Sequence, residues 1–143
     1  MNYLKILLGN LKNTDVGLLI VRITFGGLMY YNHGHAKLLG GIDRWYGLGG
    51  ALTNLIGLES LRTFFGLMAS LSESIFALFI VAGFFTRISS SLLGFTMFIA
   101  TLRHVLDGDL PEMAILYLIF SIFMIVAGPG RYSLDNRLFK RFQ

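Results

Sequence analysis

The sequence predicts an all-α fold, an integral membrane four-helix bundle forming a single domain over residues 1–143. Three observations carry that prediction. The chain is 55% hydrophobic and 14% charged, with a mean hydropathy of +0.67, whereas a soluble domain carries about 25% charged residues. Its apolar surface exceeds what its polar residues can cover in water. Four mostly apolar runs, at about residues 16–32, 63–85, 88–106 and 112–128, each match the roughly 17–25 residues that a spanning helix needs. No segment sustains the apolar–polar alternation that a membrane barrel requires.

At the start of the chain, Tyr3, Leu4, Leu7, Leu8 and Leu11 recur at helical spacing, with Lys5 and Lys12 off that stripe. This pattern fits a short N-terminal interfacial helix, and equally the first turns of the first span. The stretch is short, is broken by Lys5 and Asn10, and has no small-residue cleavage site, so no signal peptide is expected. Between spans one and two, residues 42–61 mix Trp45, Tyr46, Leu52, Leu55, Ile56 and Leu58 with several glycines. This is an amphipathic or re-entrant segment at the outer interface, anchored by its aromatics. Gly66, Ser70, Ser74 and Ala77 form a small face on the second span, Gly26 and Gly27 open the first, and Ser89 to Ser91 with Gly94 open the third. Such faces let helix backbones approach closely.

Charge sets the expected orientation. Four spans put both termini on one side, with Lys5, Lys12, Arg87, Arg131, Arg137, Lys140 and Arg141. The other side has Lys37, Arg44, Arg62 and Arg103, diluted by Asp43, Glu59, Asp107 and Asp109. The positive-inside rule then places the termini in the cytoplasm of a multi-pass inner (plasma) membrane protein. The net charge of +4 comes from dispersed residues and no nucleic-acid motif is present, so membrane lipids, not nucleic acid, are the expected partner. The absence of Cys excludes a disulfide framework, thiol redox chemistry, Cys-held iron–sulfur clusters and c-type haem attachment by this chain.

Arg22 and Glu73 interrupt spans one and two. A charge at bilayer depth costs about 2.5–3.5 kcal/mol on insertion scales, so such residues face inward and find partners. At about 1.5 Å of rise per residue, Arg22 lies roughly 9 Å from its cytoplasmic end and Glu73 roughly 15 Å from its outer end. In a core about 30 Å thick the two depths differ by about 6 Å. An intramembrane Arg22–Glu73 pair is therefore expected, as an ionisable element of a proton, ion or quinone-head-group site, with a purely register-fixing salt bridge or snorkelling of Arg22 as the plain structural alternatives.

A second cluster gathers at the outer ends. His33, His35 and Lys37 come after span one, Arg103 and His104 close span three, Glu112 opens span four, and Tyr30 and Tyr31 sit just inside. Here donors, acceptors and groups titrating near neutrality share one level of the bilayer. Tyr31, His33, His35, Lys37, Arg103, His104 and Glu112 form the candidate outer site, either a polar rim or a seat for a polar head group. His33, His35, His104 and Glu112 have metal-binding side chains. Histidines at i and i+2 diverge on a helix and chelate together only in extended chain, which Gly34 between them would permit, so a metal is the minor alternative to a polar rim or a head-group seat and none is assigned.

These residues also resemble a known pattern. An Arg early in span one (Arg22) precedes Tyr31-Asn32-His33-Gly34-His35-Ala36-Lys37-Leu38. Then come Glu73, Thr86-Arg87, His104, Glu112 and a closing Gly128-Pro129-Gly130-Arg131-Tyr132-Ser133-Leu134-Asp135. In this order the chain resembles the DoxX family of small membrane proteins over about residues 15–135. Asn32 departs from the pattern, because relatives more often run Tyr-His-Gly. The resemblance implies a four-helix inner-membrane fold similar to the membrane subunit of a thiosulfate:quinone oxidoreductase. It also implies a redox context, since some members are linked to superoxide dismutase and a sulfurtransferase in an oxidoreductase complex that bears on oxidative stress.

Three functions are compatible with the residues. The favoured one is a quinone-linked or redox-associated subunit of a membrane oxidoreductase complex, with the outer cluster holding the quinone head group and a soluble partner at the cytoplasmic face. The second is a small-molecule, proton or ion transporter, which would need a homo-oligomer to enclose enough volume. The third is a scaffold that anchors soluble redox enzymes. No nucleophile–base pair is visible, so catalysis by this chain alone is not expected.

Overall fold

The computed structural model describes residues 14–139. The interfacial helix expected around residues 3–11, and the charges of Lys5, Lys12, Lys140 and Arg141, lie outside the described residues. Among the described residues every regular element is helical.

Helix α1 runs over residues 14–39 and is not uniform. Thr14–Val21, Gly27–Met29 and His35–Leu39 are α-helical, while Arg22–Gly26 and Tyr30–Gly34 are wider π-helical turns. Helix α2 is Gly41–Ile56, ended by Gly57 in the left-handed region. Helix α3 comprises Arg62–Glu73 and Ile75–Ala82, broken at Ser74. Helix α4 is Thr86–Leu106, α5 is Glu112–Ala127 and α6 is Leu134–Phe139.

Two helical stretches, Glu59–Ala82 and Thr86–Leu106, are long and apolar enough to cross a membrane, and Glu112–Ala127 is apolar but shorter. The apolar run 16–32 is part of a helix that continues through the polar stretch to Leu39. The segment expected as amphipathic or re-entrant is a regular helix, α2, packed along α3. The two backbones touch, with Gly49 against the Arg62 carbonyl and Gly66 against that of Trp45. Arg62 pins this corner, donating from Nε to the Tyr46 carbonyl at 3.0 Å and lying over the Tyr46 ring at 4.6 Å.

The interior is small and polar, and the exterior large and apolar. Ser70, Ser74, Ser89, Ser90, Ser121, Thr53 and Thr86 are fully buried, with Ala77, Ile80, Leu93 and Met124. Ile20, Ile23, Phe64, Leu78, Ile88, Phe95, Phe98, Leu116, Ile119, Ile122 and Val126 point outward. Several buried hydroxyls are satisfied along their own helices or across them. Ser70 donates to the Gly66 carbonyl at 2.8 Å, Ser121 to Tyr117 at 2.8 Å, and Ser72 bonds Thr96 at 2.7 Å between α3 and α4. The small face read from Gly66, Ser70, Ser74 and Ala77 is buried throughout. Helices that associate without a hydrophobic driving force pack this way, and an exterior of this kind suits lipid better than water.

Candidate functional site

Two polar assemblies lie inside the bundle, at opposite ends of α1. The first begins with the two irregularities in the helices. The π-turn at Tyr30–Gly34 brings the Gly34 backbone against α3 at its break, so closely that a Cβ on Gly34 would collide with the Glu73 carbonyl. At the break, Ser74 has φ −107° and ψ −82° and returns its hydroxyl to the Ser70 carbonyl at 2.6 Å. Back-bonding of this kind bends a helix. π-Turns inside α-helices are frequent at functional sites, and each one re-aims the side chains beyond it.

In α1 the re-aimed side chain is Lys37. Its ammonium donates to Glu73 Oε1 at 2.7 Å and to Oε2 at 2.5 Å. The Lys37 side chain is 20% exposed and that of Glu73 only 4%. The Lys37 carbonyl in turn accepts the indole N–H of Trp45 at 3.0 Å, which ties α1 to α2. This pairing corrects the expected Arg22–Glu73 pair. Glu73 is taken by Lys37, and Arg22 donates from Nη2 to the Tyr132 carbonyl at 2.6 Å, at the far end of the bundle. Helix α1 continues five residues beyond Asn32 to reach Lys37, and its π-turns rotate Lys37 onto the face that Glu73 presents.

A cavity of about 150 Å³ opens beside the pair, among α1, α3, α4 and α5. His33, Lys37, Glu73, His104 and Tyr117 give it polar chemistry, and Met29, Met97, Ala100, Pro111 and Ala114 complete the wall. Below it Phe25 stacks on Phe120 at 4.8 Å, and the His33 ring meets Tyr117 edge-on at 6.0 Å. Two of the three Lys37 ammonium protons go to Glu73, which leaves one for a ligand.

The seven residues of the expected outer site divide. His33, Lys37 and His104 line the cavity. Tyr31 is 72% exposed and turns away. His35 lies between the Tyr30 and Tyr31 rings, with a buried Nδ1 that has no partner. Arg103 pairs along its helix with Asp107 at 3.1 Å, and Glu112 is exposed. One member of the site, Tyr117, escapes sequence reasoning. Tyr117 lies inside an apolar run, and a polar-tipped aromatic at such depth is the signal that could have found it. Glu73 belongs to this site and not to a pair with Arg22. Among the described residues no three His, Asp or Glu side chains stand close enough together to hold a metal.

The second assembly is a clasp formed by the closing motif. Asp135 accepts the backbone N–H of Phe85 at 2.7 Å and of Thr86 at 2.8 Å, and so caps the start of α4. Its own N–H donates to the Gly83 carbonyl at 2.8 Å. Asp15, in the first turn of α1, accepts the Arg131 N–H at 2.8 Å. Arg22 fills the space beneath, 1% exposed, and its Nη1 occupies the place of a Cβ on Gly83, whose φ of +68° a side chain would also strain. This clasp joins the first and last helices to the α3–α4 turn, over the buried Arg22 guanidinium.

Neither a curated protein nor a solved structure matches the chain. The DoxX family model matches residues 17–105, from the first turns of α1 to the last turn of α4. The match takes in Arg22, His33, Lys37, Glu73 and His104, and the apolar helices support the membrane association it brings. With more than half of its length matched, the chain belongs to the DoxX family.

Proposed function

We propose that this protein is a quinone-binding membrane subunit of an oxidoreductase complex, and that the cavity beside Lys37 and Glu73 holds the quinone ring. The observation that carries this reading is a ring-sized cavity with a buried ion pair in its wall. A cavity of about 150 Å³ holds one six-membered ring, as an engineered cavity of that size takes benzene. The donor set fits a group with two carbonyl oxygens. The remaining Lys37 ammonium proton donates to one, and His33 and His104, on α1 and α4, donate to the other. Glu73 fixes the Lys37 ammonium at the wall, while Met29 and Met97 give the wall apolar surface. When bound, a quinone supplies two-electron chemistry that amino acid side chains do not. This chain has no Cys to ligate an iron–sulfur carrier, so the electrons come from a partner.

The reading includes a membrane topology. Helices α1, α3, α4 and α5 cross the bilayer, with the clasp at the cytoplasmic face and the cavity toward the outer one. Arg87, Arg131 and Arg137 are exposed beside the clasp, which agrees with the positive-inside rule and offers a basic face to a soluble redox partner.

Trp45 is the only Trp, and its indole is bonded to the Lys37 carbonyl, so its fluorescence reports on the site. A head-group-only benzoquinone should quench Trp45 saturably, and His33→Ala or Lys37→Met should weaken binding about tenfold. Quenching that never saturates, or that ignores both substitutions, removes the quinone reading.

A further inference from the structure

The cavity has a neighbour on the other side of the ion pair. A groove of about 130 Å³ lies among α2, α3 and α4, walled chiefly by Leu48, Leu52, Phe65, Met68, Phe95 and Ile99. Lys37, Glu73 and Ala100 line both spaces, so the ion pair is a sill between a polar chamber and an apolar one. The groove also has a mouth. Phe95 is 55% and Met68 39% exposed, on the large apolar exterior of α3 and α4. A chain leaving the groove there enters lipid. The Ser72–Thr96 bond ties α3 to α4 beside the groove, and Thr96 is in the groove wall.

We propose that this groove holds the hydrocarbon tail of the same ligand whose ring occupies the cavity. The site then takes a prenylated or alkylated quinone, lying across the Lys37–Glu73 sill with its tail directed into the bilayer between Met68 and Phe95. This inference rests on the quinone reading above and narrows its substrate class from soluble to tailed quinones. Two features favour this occupant over an ordinary lipid chain. The groove shares Lys37, Glu73 and Ala100 with a polar, ring-sized chamber and does not face bilayer alone. Its volume, scaled from a cavity of about 150 Å³ holding six ring atoms, suits about five carbons, one isoprene unit. Helix α2 has a role in this arrangement. It closes the groove with Leu48, Ala51 and Leu52 and is held in place by the Trp45–Lys37 and Arg62–Tyr46 bonds.

The test uses the full chain in lipid vesicles, with Trp45 quenching read against quinone per lipid, so that partition into the bilayer is not counted as binding. Two ligands share one unsubstituted 1,4-benzoquinone head, one without a tail and one with a single prenyl unit. In the unsubstituted protein the prenyl unit should tighten binding at least fivefold. Ala69→Leu and Ala51→Leu fill the groove without reaching the cavity wall. Either should abolish the gain, while an unchanged affinity for the tail-free ligand shows that the protein is folded. Equal affinity for the two ligands in the unsubstituted protein overturns the groove assignment, as does a gain that survives both substitutions. So does persistent quenching by brominated phospholipid that the prenylated ligand fails to displace, which would make bulk lipid the occupant. If the tail-free ligand itself fails to bind, the ring site falls and the groove proposal with it, a result distinct from the other three.

Discussion

Replacing Lys37 by Met is the most informative single perturbation. It removes the ammonium that engages both oxygens of a carboxylate only 4% exposed. Removing one partner of a buried pair costs about 3–5 kcal/mol, because the other charge is left uncompensated, whereas replacing both with apolar groups is often neutral. The structure sets an asymmetry between the partners. Lys37 is 20% exposed and faces the cavity, so an unpaired ammonium there still meets water, while an unpaired Glu73 does not. Lys37→Met should therefore cost about 3–5 kcal/mol and Glu73→Gln clearly less, and Lys37→Met with Glu73→Leu should recover most of the loss. The assay is reversible unfolding in mixed micelles, monitored by far-ultraviolet circular dichroism and Trp45 emission. If the double variant is no more stable than Lys37→Met alone, the pair is not coupled and the assignment of Glu73 to Lys37 is wrong.

The same contacts carry further predictions. Arg22→Met and Glu73→Gln should be additive within about 0.3–0.5 kcal/mol in a double-mutant cycle, because the two residues share no partner. A larger coupling would restore a direct Arg22–Glu73 interaction. Asp135→Ala should cost about 1–2 kcal/mol by leaving the Phe85 and Thr86 N–H groups without their acceptor, and thermal unfolding unchanged from the parent would refute the cap. Gly34→Ala should cost about 1–3 kcal/mol by overpacking α1 against the Glu73 carbonyl, and a neutral result would mean that the helices do not touch there. The Ser72–Thr96 bond should show a coupling of about 0.6 kcal/mol, typical of hydrogen bonds between membrane helices, measured with the two Ala substitutions singly and together.

The helical class was legible because it rests on composition and on runs of apolar residues, and both survive any detail of packing. The small faces were legible for the same reason, since Gly66, Ser70, Ser74 and Ala77 repeat at helical spacing whatever they touch. The ion pair was not. Pairing Arg22 with Glu73 treats both spans as ideal helices and compares depths alone. A π-turn adds residues without adding full turns, and each extra residue rotates the rest of the helix by about 100°. Two such turns precede Lys37, and no periodicity in the sequence announces them. Hydropathy also ends the first helix at Asn32, where polar residues begin, although the backbone continues helical to Leu39. The closing motif stands out as a sequence element, yet its use is hidden there. Its bonds run from Asp135 to Phe85 and from Arg131 to Asp15, and only a folded chain brings those positions together.

The two polar assemblies differ in what their removal should do, and that difference separates architecture from chemistry. The clasp bonds backbone to side chain across three chain segments, and any substitution there is read as lost stability. The Lys37–Glu73 pair is different in kind. Small faces and hydroxyl bonds already pack this bundle, so an apolar pair at those two positions should fold as well as the charges do. A pair that contributes little net stability is then explained by what it binds. The variant carrying both Lys37→Met and Glu73→Leu tests this directly, with stability and ring binding measured on one sample. Stability close to the parent together with a loss of Trp45 quenching of about tenfold or more makes the pair part of a binding site. Stability close to the parent with quenching intact makes it a device for helix register, and the cavity beside it would then have to hold its ligand through His33, His104 and Tyr117 alone.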